Sequence, residues 1–132
     1  MKVKTSELQG AALDWAVAKC EGREPSYYKG RMRATAHPDF PDSPPMFGPE
    51  LKYSTDWAQG GPIIEREKIE LVRGNDLYFP QGNETGDFYE PLWIAGKMHG
   101  QTPLIAAMRC YVASKLGDEV DVPDELMEGE VK

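Results

Sequence analysis

The segment from Tyr53-Ser54-Thr55-Asp56-Trp57 to Gly60-Gly61-Pro62 constrains this chain most, because its local signals conflict. Ser54 and Thr55 read as a helix N-cap, with Asp56 placed in the first turn. Gly60, Gly61 and Pro62 follow within two turns, where glycine costs about 1 kcal/mol each and proline about 3 in a helix interior. Proline also pushes Gly61 away from helical backbone and frees a carbonyl one turn back. A chain that keeps such a conflict beside two aromatics marks a ligand site or a tight backbone contact. The segment is a locator and names no reaction.

At 132 residues the chain fits one domain, able to bury roughly two thirds of the surface its unfolded form exposes. No apolar run approaches the ~20 residues needed to cross a bilayer. The start, Met1-Lys2-Val3-Lys4, is basic with no apolar core after it, so it predicts a cytoplasmic protein with no membrane partner. Cys20 and Cys110, each inside a helical pattern, read as small hydrophobes. His37 and His99 fall in loop-like sequence, and no Cys/His pair has the spacing of zinc ligands, so neither metal nor cofactor is expected. Seven of the 22 acids crowd into residues 118–132, leaving fifteen acids against fourteen bases in the rest. That argues against duplex DNA as a partner and predicts an acidic, solubilising C-terminal tail.

Helical punctuation is clear at both ends of the chain. Ser6 and Gln9 have capping-box spacing; Leu8, Leu13, Trp15 and Val17 build an apolar stripe, and Gly22 supplies a stop. Thr102 as N-cap, Pro103 at the first helical position and Gly117 after Leu116 bound a second helix. Ile105, Met108, Val112 and Leu116 form its predicted stripe. Between the helices, residues 27–35 alternate enough for a strand, with Lys29, Arg31 and Arg33 on one face. Five prolines from Pro38 to Pro49 exclude helix there and predict a packed loop with Phe40, Met46 and Phe47 as anchors. Residues 68–73 and 89–95 read as strands and 77–79 as extended, together a small antiparallel sheet of three or so strands.

The chain's two ends and middle resemble the NinX-type phage proteins. The resemblance lies in residues 1–8, in Leu13-Asp14-Trp15-Ala16-Val17-Ala18-Lys19, in Tyr53-Ser54-Thr55-Asp56-Trp57, and in Thr102-Pro103-Leu104-Ile105-Ala106-Ala107-Met108-Arg109. That family is similar, more distantly, to a phage domain described as an α-β-α sandwich. The resemblance implies an α+β fold, a phage accessory protein and a bacterial host's cytoplasm. It implies no activity. The predicted fold is thus a small antiparallel sheet packed by an N-terminal, a middle and a C-terminal helix. Residues 1–117 would form one domain and 118–132 the tail.

Function is read as non-covalent binding. Tyr53 and Trp57, four apart, would share a helical face and stack a base. Ser54, Thr55 and Asp56 start that helix, and Gly60 and Gly61 would let backbone N–H groups approach an anion. Arg66 and Arg109 would hold phosphate, with Thr102 opening a second helix N-terminus. The expected ligand is a small nucleotide-type host signal, bound by a homo-oligomer. The alternative is capture of a host protein through the proline-rich loop and the acidic tail. Catalysis is the weakest class: Asp56, Glu65 and Glu67 could exchange protons, but no nucleophile-elbow, zinc-protease or P-loop spacing occurs.

Overall fold

The computed structural model describes residues 1–28, 31–34, 50–73 and 93–126. Among these residues three α-helices carry the fold: α1 (Gly10–Cys20), α2 (Trp57–Glu67) and α3 (Pro103–Leu116). The described residues also form short strands around them: β1 (Lys2–Lys4), β2 (Pro25–Tyr28), β3 (Arg31–Ala34), β4 (Val72–Arg73), β5 (Trp93–Ala95), β6 (Met98–Gly100) and β7 (Glu119–Asp121). They form antiparallel sets β1-β7, β2-β3 and β4-β5-β6. This is the α+β architecture read from the sequence.

α3 is the centre of the molecule, packed against α1, α2, β5 and β6. Its punctuation is as predicted: the Thr102 hydroxyl accepts from Ile105 N at 3.1 Å, Pro103 occupies the first turn and Gly117 ends the helix. Its buried face is Leu104, Ala107, Met108, Tyr111 and Val112. Leu116, predicted as the end of the stripe, is exposed instead. Close approach of sheet and helix is enforced at Gly100, where a Cβ would lie 2.5 Å from Ala106 N.

α1 buries Ala12, Leu13, Ala16 and Val17 in the same core. The predicted Ser6–Gln9 capping box does not form. Residues Thr5–Glu7 make a 3₁₀ turn, and α1 begins at Gly10 without a side-chain cap. The reason is tertiary. Thr5 N–H donates to the Asp118 carbonyl (2.7 Å) and its hydroxyl to that of Gly117 (2.6 Å), which ties residues 2–7 to the other end of the chain. Gly22 does stop α1. At φ +76° it lets Arg23 N–H reach the Ala18 carbonyl (2.9 Å) while its own N–H reaches Lys19 (3.1 Å), a Schellman closure.

Several strands depart from the sequence reading. Residues 27–35 hold not one strand but the end of β2 and all of β3, paired from Pro25↔Ala34 to Tyr28↔Arg31. Residues 68–73 were predicted extended throughout. Instead Lys68 takes a left-handed φ of 54° to close α2, and only Val72–Arg73 pairs. His99, placed by its sequence in a loop, lies in β6. The acidic segment after residue 117 is not simply a solvated tail: β7 pairs with β1, and Val120, Val122 and Leu126 lie in the core. On the outer face Lys2 opposes Asp121 and Lys4 opposes Glu119, so the acids there meet bases across the ladder. The proline-rich loop, Lys29, His37, the 75–87 stretch and the last acids lie outside the described residues.

Candidate functional site

The 53–67 conflict resolves as one continuous helix with a displaced start. Asp56, not Ser54 or Thr55, is the N-cap of α2, accepting from Ala58 N at 2.9 Å. The helix then runs through Pro62. Gly60 is required by contact rather than by a ligand: a Cβ there would sit 2.5 Å from the Tyr53 carbonyl oxygen and 2.6 Å from Leu104 Cδ2. Gly61 lets the residue before Pro62 stay helical, because the clash of proline with a preceding Cβ is absent.

Placing the helix start at Trp57 removes the predicted aromatic platform. Tyr53 lies in the turn before α2 and is 6 % exposed, whereas Trp57 is 54 % exposed and leans on Gly61. At about 100° per residue, Trp57 and Gly61 share one face of α2, while Gln59, Pro62, Ile63 and Arg66 occupy the opposite one. The two aromatics therefore do not stack a common base. Ser54 is buried, its N–H donating to the buried carboxylate of Asp14 (2.8 Å). Its hydroxyl has no hydrogen-bond partner among the described residues. Thr55 is exposed.

That opposite face of α2 borders a cleft of about 280 Å³. The end of α1 contributes Glu21 and Arg23, the 51–53 segment contributes Leu51 and Tyr53, and α2 contributes Gln59, Pro62, Ile63 and Arg66. Gln59 holds the wall in place: its side-chain oxygen accepts from Lys52 N and its amide donates to the Glu50 carbonyl, both at 2.8 Å. Arg66 pairs in bidentate fashion with Glu21, Nη2–Oε2 at 2.7 Å and Nη1–Oε1 at 3.1 Å, and its Nε donates to Glu67 at 2.9 Å. These carboxylates, Glu21 first, raise the guanidinium's already high basicity. The Tyr111 hydroxyl donates to Glu21 as well, and the Arg66 guanidinium lies 5.6 Å from the Tyr111 ring centroid. Burial works against the Glu21 charge, yet hydrogen bonds from Arg66 and Tyr111 outweigh it and leave the carboxyl below its ordinary range. Burial pushes the Tyr53 phenol up, against the pull of Arg23, so it stays a protonated donor at neutral pH.

Of the ligand-binding residues read from the sequence, Tyr53 and Arg66 meet in this cleft. Arg109 does not join them. Two residues from Tyr111 on α3, it points about 200° away, donating from Nε to the Leu8 carbonyl and from Nη1 to that of His99, each at 2.7 Å. Burial lowers its basicity. It is a clamp between the segment before α1, β6 and α3. Thr102 serves α3 as its cap and does not line the cleft. Glu21 and Arg23 were missed, although one signal for Glu21 was available: an acid at a helix C-terminus opposes the macrodipole and calls for a cationic partner.

A larger cleft of about 470 Å³ lies between the end of α2, α3 and β4–β5, floored by Ile69, Val72, Ile94 and Cys110. Its described charges are Glu67, Glu70 and Lys68, a net negative set that does not attract an anion. Among the described residues no group of three or more His, Cys, Asp or Glu could hold a metal ion. No described helix is long and apolar enough to cross a membrane. Comparison with curated proteins finds no match. Residues 4–115 match the family model described as "Bacteriophage P22, NinX", and the chain belongs to that phage family.

Proposed function

We propose that this phage protein acts by binding, without turnover, a small nucleotide-type anion of the host in the cleft between α1 and α2, and so withdraws it from the host. One observation carries the reading: the cleft brings two guanidinium groups, Arg23 and Arg66, beside the hydroxyl-bearing Tyr53. Guanidinium forks suit phosphate geometry, and the phenol adds a neutral donor. The carboxylates considered for proton transfer support binding rather than chemistry by their placement. Asp56 caps α2, Glu67 pairs with Arg66, and neither of them nor Glu65 lines the cleft. Thermal unfolding against a panel of nucleotides tests the reading, since a ligand at 100 times its Kd adds about 2.7 kcal/mol of stability. The expected result is a rise in Tm with the ligand that disappears in Arg23→Ala; no shift with any nucleotide argues against it.

A second reading, capture of a host protein, draws on the exposed Trp57 on the other face of α2. An accessible tryptophan is a common anchor of interfaces, between copies of this chain as well as with a host partner. Loss of a co-purifying host protein in Trp57→Ala, with the Tm shift by nucleotides absent, would favour it.

A further inference from the structure

We infer that Glu21 sets the charge class of the bound group, fitting the cleft to a monoanionic phosphodiester and turning away a dianionic phosphomonoester. This rests on the binding reading above. The charged groups lining the cleft are Arg23, Arg66 and Glu21, one net positive charge. Just outside it, Glu67 accepts from Arg66 Nε at 2.9 Å and lies 4.0 Å from Lys115, so that acid and that lysine together add no net charge. Behind Tyr53, Asp14 directs a carboxylate oxygen to Ser54 N–H and does not line the cleft; its charge only strengthens the same preference.

The carboxylate of Glu21 is built in, not incidental. Arg66 contacts both of its oxygens and Tyr111 donates to one of them. An entering phosphate meets Arg23 and Tyr53, because Arg66 already engages Glu21 through both terminal nitrogens and Glu67 through Nε. A phosphodiester carries one negative charge and balances the cleft. A phosphomonoester, with a second ionisation near pH 6, carries close to two at pH 8 and leaves one facing Glu21. Like-charge contact of this kind is a means of rejecting the wrong partner. The volume bounds the size of the ligand and not its charge: about 280 Å³ falls just below the range of about 300–1,000 Å³ usual for ligand pockets, which limits the ligand to a single nucleotide unit.

Calorimetric titration of cyclic AMP and of adenosine monophosphate into the whole protein, at about pH 8 and low salt, separates the outcomes. Wild type should bind cyclic AMP about fivefold more tightly than the monophosphate. Glu21→Gln keeps a hydrogen-bond acceptor for Tyr111 while raising the lining charge by one, and should reverse that order. Arg23→Gln should weaken both ligands, with circular dichroism showing that each variant is folded. If both ligands bind but wild type prefers the monophosphate, or Glu21→Gln leaves the order unchanged, the charge-class inference is overturned and the binding cleft stands. If neither ligand binds wild type or Glu21→Gln, both are overturned.

Discussion

The guanidinium of Arg66, at the end of α2, closes on the carboxylate of Glu21, at the end of α1, with its two terminal nitrogens 2.7 and 3.1 Å from the two oxygens. Tyr111 of α3 donates its hydroxyl to the same carboxylate, so three helices share one acid. Removing Glu21 strips Arg66 of its bidentate partner, leaving it Glu67, and takes from Tyr111 the carboxylate to which its hydroxyl donates. Glu21→Ala should cost about 1–3 kcal/mol in urea unfolding, and Arg66→Ala in that background should add less than it does alone.

The same acid gives the fold a pH dependence of known sign. Its folded carboxyl lies below the ordinary value of 4.5: burial opposes this, but the hydrogen bonds from Arg66 and Tyr111 prevail. A depressed carboxyl stabilises the fold fully above the unfolded value, and the gain is lost as pH falls through the folded one. Wild type and Glu21→Gln should therefore differ in Tm near neutrality and converge as the pH drops below about 4.

Gly60 and Gly61 are neighbours with opposite tolerance. At Gly60 a Cβ would be 2.5 Å from a backbone oxygen of Tyr53, which has little freedom to move aside. Gly60→Ala should destabilise by about 1–3 kcal/mol despite alanine's better helix propensity. At Gly61 the nearest atom is Trp57 Cε3 at 3.8 Å. The helix gain there is set against the pre-proline clash, so Gly61→Ala should shift stability by less than about 1 kcal/mol. Paired chemical denaturation curves distinguish the two.

Lys68 closes α2 at φ 54°, with Lys68 N–H on the Glu65 carbonyl (3.3 Å) and Ile69 N–H on that of Ile64 (3.0 Å). Helices end this way most easily on glycine. Lys68→Gly should therefore raise stability by about 0.5–1 kcal/mol, seen as a higher Tm.

How much of this was legible in the sequence differs by element, for physical reasons. The bounds of α3 could be read because Thr102, Pro103 and Gly117 act locally. The β1–β7 pair was hidden: three-residue strands full of Lys, Glu and Asp carry no periodic signal, and their partners lie at opposite ends of the chain. α2 was misjudged because Gly60 answers to Tyr53 and Leu104, contacts that propensity does not contain. Counting the helix from Tyr53 instead of Trp57 then turned two aromatics on different sides into a false platform. Arg66 was recognised as a phosphate candidate, while Glu21 and Arg23 enter the site only through the Schellman turn that ends α1.

Cys20, the last residue of α1, should behave as an unreactive thiol. Burial first, and the neighbouring Glu21 second, push it up to about 11 from an ordinary 9.0. Alkylation by iodoacetamide should be slow at about pH 8 and quicken only as pH nears that value. The raised thiol leaves the fold unperturbed below the unfolded value and destabilises it as the pH climbs between the two.

Native mass spectrometry of the protein purified from a bacterial host, followed by denaturing release, most directly tests whether the α1–α2 cleft holds a small anion. One phosphate-bearing molecule per chain is expected, retained by the Gly61→Ala control and lost in Arg23→Ala. A bare polypeptide mass, unchanged after incubation with a nucleotide extract and the same in Arg23→Ala, would contradict it.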